Sequence, residues 1–133
     1  MMYCKRKRNM TKPLALVFYE RLLLGRQLVN RLVDIGYRVN SISDLKSLES
    51  IVLKEQPLVL LLDLHTVQGS VANEIRSIRN NQATMHIPIL GFTGKQEEKL
   101  HSPAVKAGAN MVALDEAMLR QLPQMLEQLL RVE

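Results

Sequence analysis

Tryptophan is absent from this chain, and aromatic residues make up only 4% of it. A surface that recognises bases by stacking would have to rely on three Tyr and two Phe. The single cysteine, Cys4, excludes a disulfide framework or a multi-cysteine zinc site and fits a reducing, cytoplasmic setting. No apolar run approaches the roughly 20 residues needed to span a bilayer; runs such as Leu58–Leu62 are strand-sized. Acidic residues are missing altogether from residues 1–12, which hold Lys5, Arg6, Lys7, Arg8 and Lys12. Removing those five from the 18 basic residues of the chain leaves 13, equal to its 13 acidic ones, so the net charge of +5 belongs to this segment. It lacks the apolar stretch of a secretion signal. Residues 1–12 read as a solvated, disordered leader around a true start at Met10, or else as a basic arm for an anionic surface.

What is abundant is apolar: 47% of the residues are hydrophobic and 23% charged, enough to build one buried core over residues 13–133. Leu14–Tyr19 follows Pro13 and predicts a buried strand. From Glu20 to Ile35, Leu24, Leu28 and Leu32 recur every fourth residue beside Val29 and Val33, a helical stripe that Gly36 ends. Arg38–Ile42 predicts a second strand. Ser43 or Asp44 caps a helix carrying Leu45, Leu48, Ile51 and Val52 on one side, closed by Pro57. Leu58–Asp63 does not alternate, which predicts a strand covered on both faces. Ser70 caps a helix with Val71, Ile75 and Ile78, ended by Asn80 and Asn81, and Pro88–Thr93 predicts a fourth strand. Residues 94–107 are helical in composition but interrupted, with Ser102 as cap and Pro103 in the first position restarting the helix. Met111–Leu114 predicts a fifth strand, and Pro123 opens a last helix whose stripe is Leu126, Leu129 and Leu130.

Strand and helix thus alternate five times, which predicts a doubly wound parallel α/β sheet with helices on both faces. Chemistry in such sheets gathers at the carboxyl ends of the strands. The residues there are Phe18, Tyr19 and Glu20 after the first strand, Asp63 after the third, Thr93 after the fourth and Asp115 after the fifth.

The element order over Leu14–Arg131 resembles the response-regulator receiver domain of two-component signalling. The segments that carry the likeness are Gly36–Val39, Gln56–Leu64, Glu74–Arg79, Ile87–Ile89, Phe92–Gly94 and Ala104–Ala109. The resemblance implies a flavodoxin-like sheet of five parallel strands in the order 2-1-3-4-5. It also implies a phosphoryl transfer in which a carboxylate attacks a phosphohistidine, with Mg²⁺ and a lysine neutralising the charge. Asp63 stands at the phosphoacceptor position and Thr93 at that of the switch hydroxyl. The acidic pair that holds Mg²⁺ is replaced by Phe18 and Tyr19, which cannot bind it at neutral pH. Asp115 stands in the place of the lysine, and Val112 where an aromatic switch residue is usual.

Each of these residues has a structural reading beside the functional one. Asp63 is a surviving phosphoacceptor or a carboxylate that ties neighbouring loops; if buried it needs a counter-charge, and Lys95 or Arg21 is expected to supply it. Glu20 joins Asp63 in a one-carboxylate Mg²⁺ site or opens the first helix, where acids suit the dipole. Thr93 senses a ligand or forms a capping box with Gln96. Asp115 caps or turns the chain.

The leading expectation is a cytoplasmic pseudo-receiver: a non-enzymatic signalling module, without cofactor, that binds a histidine kinase, an output protein or a second copy. The fourth helix, fifth strand and fifth helix would form its docking face, with Val105, Met118, Leu119 and Leu122. One alternative is a working receiver phosphorylated on Asp63 with Mg²⁺. Another is a nucleic-acid module using the basic leader; no helix clusters basic residues, so no specific nucleic acid and no membrane partner is expected.

Overall fold

The computed structural model describes residues 12–131; of the leader 1–12, read above as a disordered or basic arm, all but Lys12 lies outside them. Five parallel strands form one sheet: β1 (Leu14–Phe18), β2 (Arg38–Ile42), β3 (Val59–Asp63), β4 (Ile89–Thr93) and β5 (Met111–Leu114). They lie in the order β2-β1-β3-β4-β5, the doubly wound arrangement expected from the sequence. Among the described residues six α-helices connect or follow them: α1 (Leu22–Asp34), α2 (Leu48–Glu55), α3 (Val71–Arg79), α4 (His101–Ala107), α5 (Asp115–Arg120) and α6 (Leu122–Leu129).

Every residue of β1, β3 and β4 is buried, which is why these three segments read as unbroken apolar runs. The edge strands β2 and β5 are largely half-buried or exposed and carry Arg38, Asn40 and Ser41 or the small Ala113. Alternate residues feed two cores. Leu16, Phe18, Leu60, Leu62 and Ile89 pack with Leu48, Val52, Ile75, Ile78 and Ala104 from α2, α3 and α4. On the other face Ala15, Val17, Leu61, Leu90 and Phe92 pack with Leu28, Leu32, Met118, Leu122 and Leu126 from α1, α5 and α6. Fully burying a Leu, Ile or Phe side chain contributes about 1.5–3 kcal/mol, so these two layers dominate the folding energy.

Ser70 caps α3, its hydroxyl accepting from Asn73 N–H, and Gly36 turns the chain after α1 with φ +103°. Asp44 caps a single 3₁₀ turn, Leu45–Ser47, that leads into α2. Three expectations need correction. The Thr93–Gln96 box does not form: the segment opens as two 3₁₀ turns, Lys95–Leu100, kinked at Glu97, behind Gly94 and with no side-chain cap. Helix α4 starts at His101, so Ser102 lies inside it and Pro103 is its third residue. Pro123 is the second residue of α6, and a separate short helix, α5, precedes it.

Candidate functional site

The carboxyl ends of β3, β4 and β5 bring Asp63, Thr93 and Leu114 side by side, since Asp63 pairs in register with Phe92 and Thr93 with Leu114. Asp115, the first residue of α5, therefore stands close to Asp63 although the two are far apart in sequence. Asp63 is completely buried. A carboxylate in that position needs donors or a cation, because an isolated buried charge costs several kcal/mol.

Arg21 supplies both. Its backbone is extended at the start of α1 (φ −82°, ψ 101°), which sends the side chain across the strand ends. Nε donates to Asp63 Oδ2 at 2.8 Å and Nη2 to Asp63 Oδ1 at 2.7 Å, a fork on both oxygens. The same guanidinium donates from Nη1 to Asp115 Oδ2 at 2.8 Å and from Nη2 to Asp115 Oδ1 at 3.3 Å. Asp63 Oδ1 also accepts from the backbone N–H of His65 at 3.0 Å. The bonds to Asp63 hold the guanidinium above its ordinary proton affinity; partial burial opposes them, and Asp115 adds to the hold. One cation thus clamps two anions, and the group carries a net single negative charge.

The other expected site residues are placed elsewhere. Lys95 is exposed, and the ion pairs among the described residues are Arg21–Asp63 and Arg21–Asp115; Lys95 is not the counter-charge. Glu20 does not lie in the first turn of α1, which starts at Leu22 with no acid. Its carboxylate accepts from Gln68 Nε2 at 2.7 Å and from Val67 N–H at 3.3 Å, bonds that hold its pKa below the usual value. Thr93 is buried, and its hydroxyl makes one long bond, 3.4 Å, to the Glu97 carbonyl. Phe18 is buried in the core beneath α2–α4. Tyr19 turns its ring onto α1 at Gly25, where a Cβ would sit 2.0 Å from the ring. Asp115 neither caps nor simply turns the chain; it is the second anchor of Arg21.

Gln68 is a site residue that pattern reading missed. Its amide nitrogen donates to Glu20 and to the Ser43 carbonyl at 2.8 Å, and its oxygen accepts from Leu45 N–H at 2.7 Å. It thereby ties the loops after β1, β2 and β3 together. Only its place in the loop after Asp63 hinted at a role.

The residues present do not suit Mg²⁺. That ion demands an octahedron of oxygens at about 2.0–2.1 Å, whereas the space between Asp63 and Asp115 is filled by a cation of the protein's own. The Phe18 side chain offers no oxygen, and Glu20 is engaged by the neighbouring loop. Among the described residues no group of three or more His, Cys, Asp or Glu side chains is placed to hold a metal.

No family model matches the sequence, and no curated protein matches it. Solved structures do. The receiver domain of a sensor histidine kinase from Pseudomonas aeruginosa, which has a magnesium ion coordinated in its active-site cleft, superposes with a TM-score of 0.81 at 17% identity, covering 90% of this chain and 98% of that one. The signal receiver domain of a signal transduction histidine kinase from Syntrophus aciditrophicus gives 0.78 at 14% identity over 91% and 95% of the two chains. A chemotaxis response regulator of Vibrio cholerae gives 0.74 at 18% identity over 86% and 98%. With its strand order and strand-end aspartate already established, the chain has the fold of the response-regulator receiver domains.

Proposed function

We propose that this protein is a pseudo-receiver: a signalling module of the two-component kind, not an enzyme, that acts by docking a protein partner without Mg²⁺-dependent phosphorylation. The observation that carries this reading is the fork of Arg21 on Asp63. A phosphoryl acceptor must present a free carboxylate lone pair to the incoming phosphorus, with a divalent ion to collect the charge. Asp63 Oδ1 already accepts two hydrogen bonds and Oδ2 one, and Asp115 sets a second anion where a transferred phosphoryl group would need a cation. Arg21 supplies the charge balance that a metal provides in an active receiver, but as a fixed part of the chain it cannot report occupancy.

The partner in this reading is a histidine kinase, an output protein or a second copy, in the cytoplasm. The docking face is smaller than the sequence suggested. Met118 and Leu122 are fully buried in the core, which leaves Val105 and Leu114 as its exposed large apolar residues.

The test is incubation of the full chain with a small-molecule phosphodonor and Mg²⁺, followed by intact-mass measurement. The expected result is an unmodified mass and no Mg²⁺ heat in a calorimetric titration. A labile phosphoryl adduct that disappears in Asp63→Asn would instead make the protein a working phosphoacceptor.

A further inference from the structure

Strand β2 lies at one side of the sheet, and its main chain is only half used. Arg38 N–H donates to the Pro13 carbonyl at 2.8 Å, and the Ile42 carbonyl accepts from Tyr19 N–H at 3.2 Å. Arg38, Asn40 and Ile42 thus turn their main-chain groups toward β1, and Val39 and Ser41 turn theirs outward. Among the described residues no hydrogen bond reaches those outward groups. Past them the edge is closed, because Gln68 Nε2 holds the Ser43 carbonyl at 2.8 Å. An open edge is a template for a further strand unless proline, a bulge or charge guards it. β2 pairs with β1 without a bulge, contains no proline, and has Arg38 as its one charged residue.

Two features select the strand that fits. Arg38 is exposed at the start of β2, its Nε bonded to the Lys12 carbonyl and its Nη atoms without a partner among the described residues. The chain stays extended past Ile42 to the exposed Asp44 (φ −112°, ψ 111°), with Lys46 beyond it in the 3₁₀ turn. The edge is therefore positive at its start and negative past its end. A parallel copy of the same strand in register would align like charges; an antiparallel copy aligns opposite ones. With Asn40 facing the second copy's Asn40, Arg38 stands opposite Ile42, and Asp44 lies about 7 Å further along, within the span of an arginine side chain. The second feature is apolar. Helix α1 packs on β1 and β2 while α5 packs on β4 and β5, and Arg31 marks the flank of α1 that faces α5 by donating to the Leu119 carbonyl. At about 100° per residue, Leu22 and Val33 fall on the opposite flank, beside β2, and they are 67% and 53% exposed.

We infer that two copies of this chain pair through the outer edge of β2, antiparallel about a twofold axis at Asn40, so that one sheet runs through both. Val39 of each copy exchanges both main-chain hydrogen bonds with Ser41 of the other. The two Asn40 amides meet at the axis, and Arg38 meets Asp44 at either end. The same axis sets α1 beside α1 on one face, with Leu22 of one copy toward Val33 of the other. At the opposite side of the sheet, β5 has no charged residue from Met111 to Leu114, so nothing there selects a direction or a register. The pairing uses neither the Asp63 site nor the β5 face, and its failure would leave the outcome of the phosphodonor test unchanged.

The experiment is sedimentation equilibrium on the full-length chain and its variants, with circular dichroism to confirm that each is folded. The parent should be a dimer at about 100 μM and dissociate on dilution. Ser41→Pro removes an outward N–H and no bond of the sheet, and should weaken the dimer at least about tenfold. Ala113→Pro is the equivalent change on β5, where Asn110 N–H donates inward to the Ile89 carbonyl, and should leave the dimer intact. Arg38→Asp and Asp44→Arg each bring like charges together and should each be monomeric. An equimolar mixture of these two variants should recover the dimer, since opposite charges then meet at both ends. A monomeric parent, a dimer indifferent to Ser41→Pro, a dimer lost in Ala113→Pro, or a mixture that stays monomeric would each overturn the inference.

Discussion

At the scale of the residue, replacing Arg21 by lysine separates charge from geometry. A lysine keeps one positive charge but cannot span two carboxylates with a planar fork. Arg21→Lys should therefore lose about 1–2 kcal/mol in urea denaturation, and Arg21→Ala about 3 kcal/mol, because Asp63 is then buried without a counter-ion. If Arg21→Ala were neutral, the clamp would be a surface ornament and the argument against phosphotransfer would lose its support. Much of this site was legible beforehand. A buried aspartate at a strand end demands a cation, and Arg21 was one of two candidates within reach. The role of Asp115 was not legible: it depends on β5 lying beside β4 and on one long side chain crossing the strand ends between residues 94 apart. Neither follows from local pattern.

At the scale of the element, the loops around the site are held by polar ties that no periodicity announces. Glu20 and Gln68 join the loops after β1 and β3. Because its partners hold the Glu20 pKa low, the unfolded chain takes up a proton there before the folded one does. The tie therefore stabilises the protein above the ordinary carboxylate range and is lost as pH falls through the folded value. Glu20→Gln should be slightly less stable at neutral pH, by under about 1 kcal/mol for so exposed a pair, and should match the parent in acid; a gap that persists in acid would point to shape instead of charge. Helix α1 depends on contact of another kind. The ring of Tyr19 lies where a side chain on Gly25 would begin, so Gly25→Ala, normally favourable in a helix, should cost about 1–3 kcal/mol through overpacking, read as a lower thermal midpoint. In Tyr19→Ala the same Gly25→Ala change should become neutral or stabilising. Helix α5 escaped the sequence reading for a physical reason: six residues hold less than two turns, too few for an apolar stripe to repeat, and Met118 is its one buried residue. The interruption before α4 was legible from Pro103, but its place was not, since a 3₁₀ turn leads directly into the helix without a polar cap.

At the scale of the whole molecule, the parallel sheet and its two-sided core followed from the apolar pattern, because unbroken apolar strands between amphipathic helices have few other ways to hide, whereas the strand order came from the resemblance to receiver domains. Whether the two helical layers fold as one unit is a separate question. Each packs on its own face of the sheet, and the cores share strands but no side chains. Tyr19 and Tyr37, the two tyrosines among the described residues, both pack against the α1, α5 and α6 core, so in a Tyr3→Phe background the near-ultraviolet tyrosine signal is a selective probe of that face. Leu48 lies in the opposite core and is fully buried. Leu48→Ala should cost about 3 kcal/mol by cavity formation, a large part of the 5–15 kcal/mol typical of a domain. Since β1, β3 and β4 carry side chains into both cores, loosening one face withdraws support from the other. The tyrosine signal and the far-ultraviolet helix signal should therefore move together to the same lower midpoint in Leu48→Ala. A tyrosine transition that stayed at the parent midpoint while the helix signal split in two would show two separable layers. In that case a partner could remodel the α2–α4 face without disturbing the strand ends where Arg21 holds Asp63.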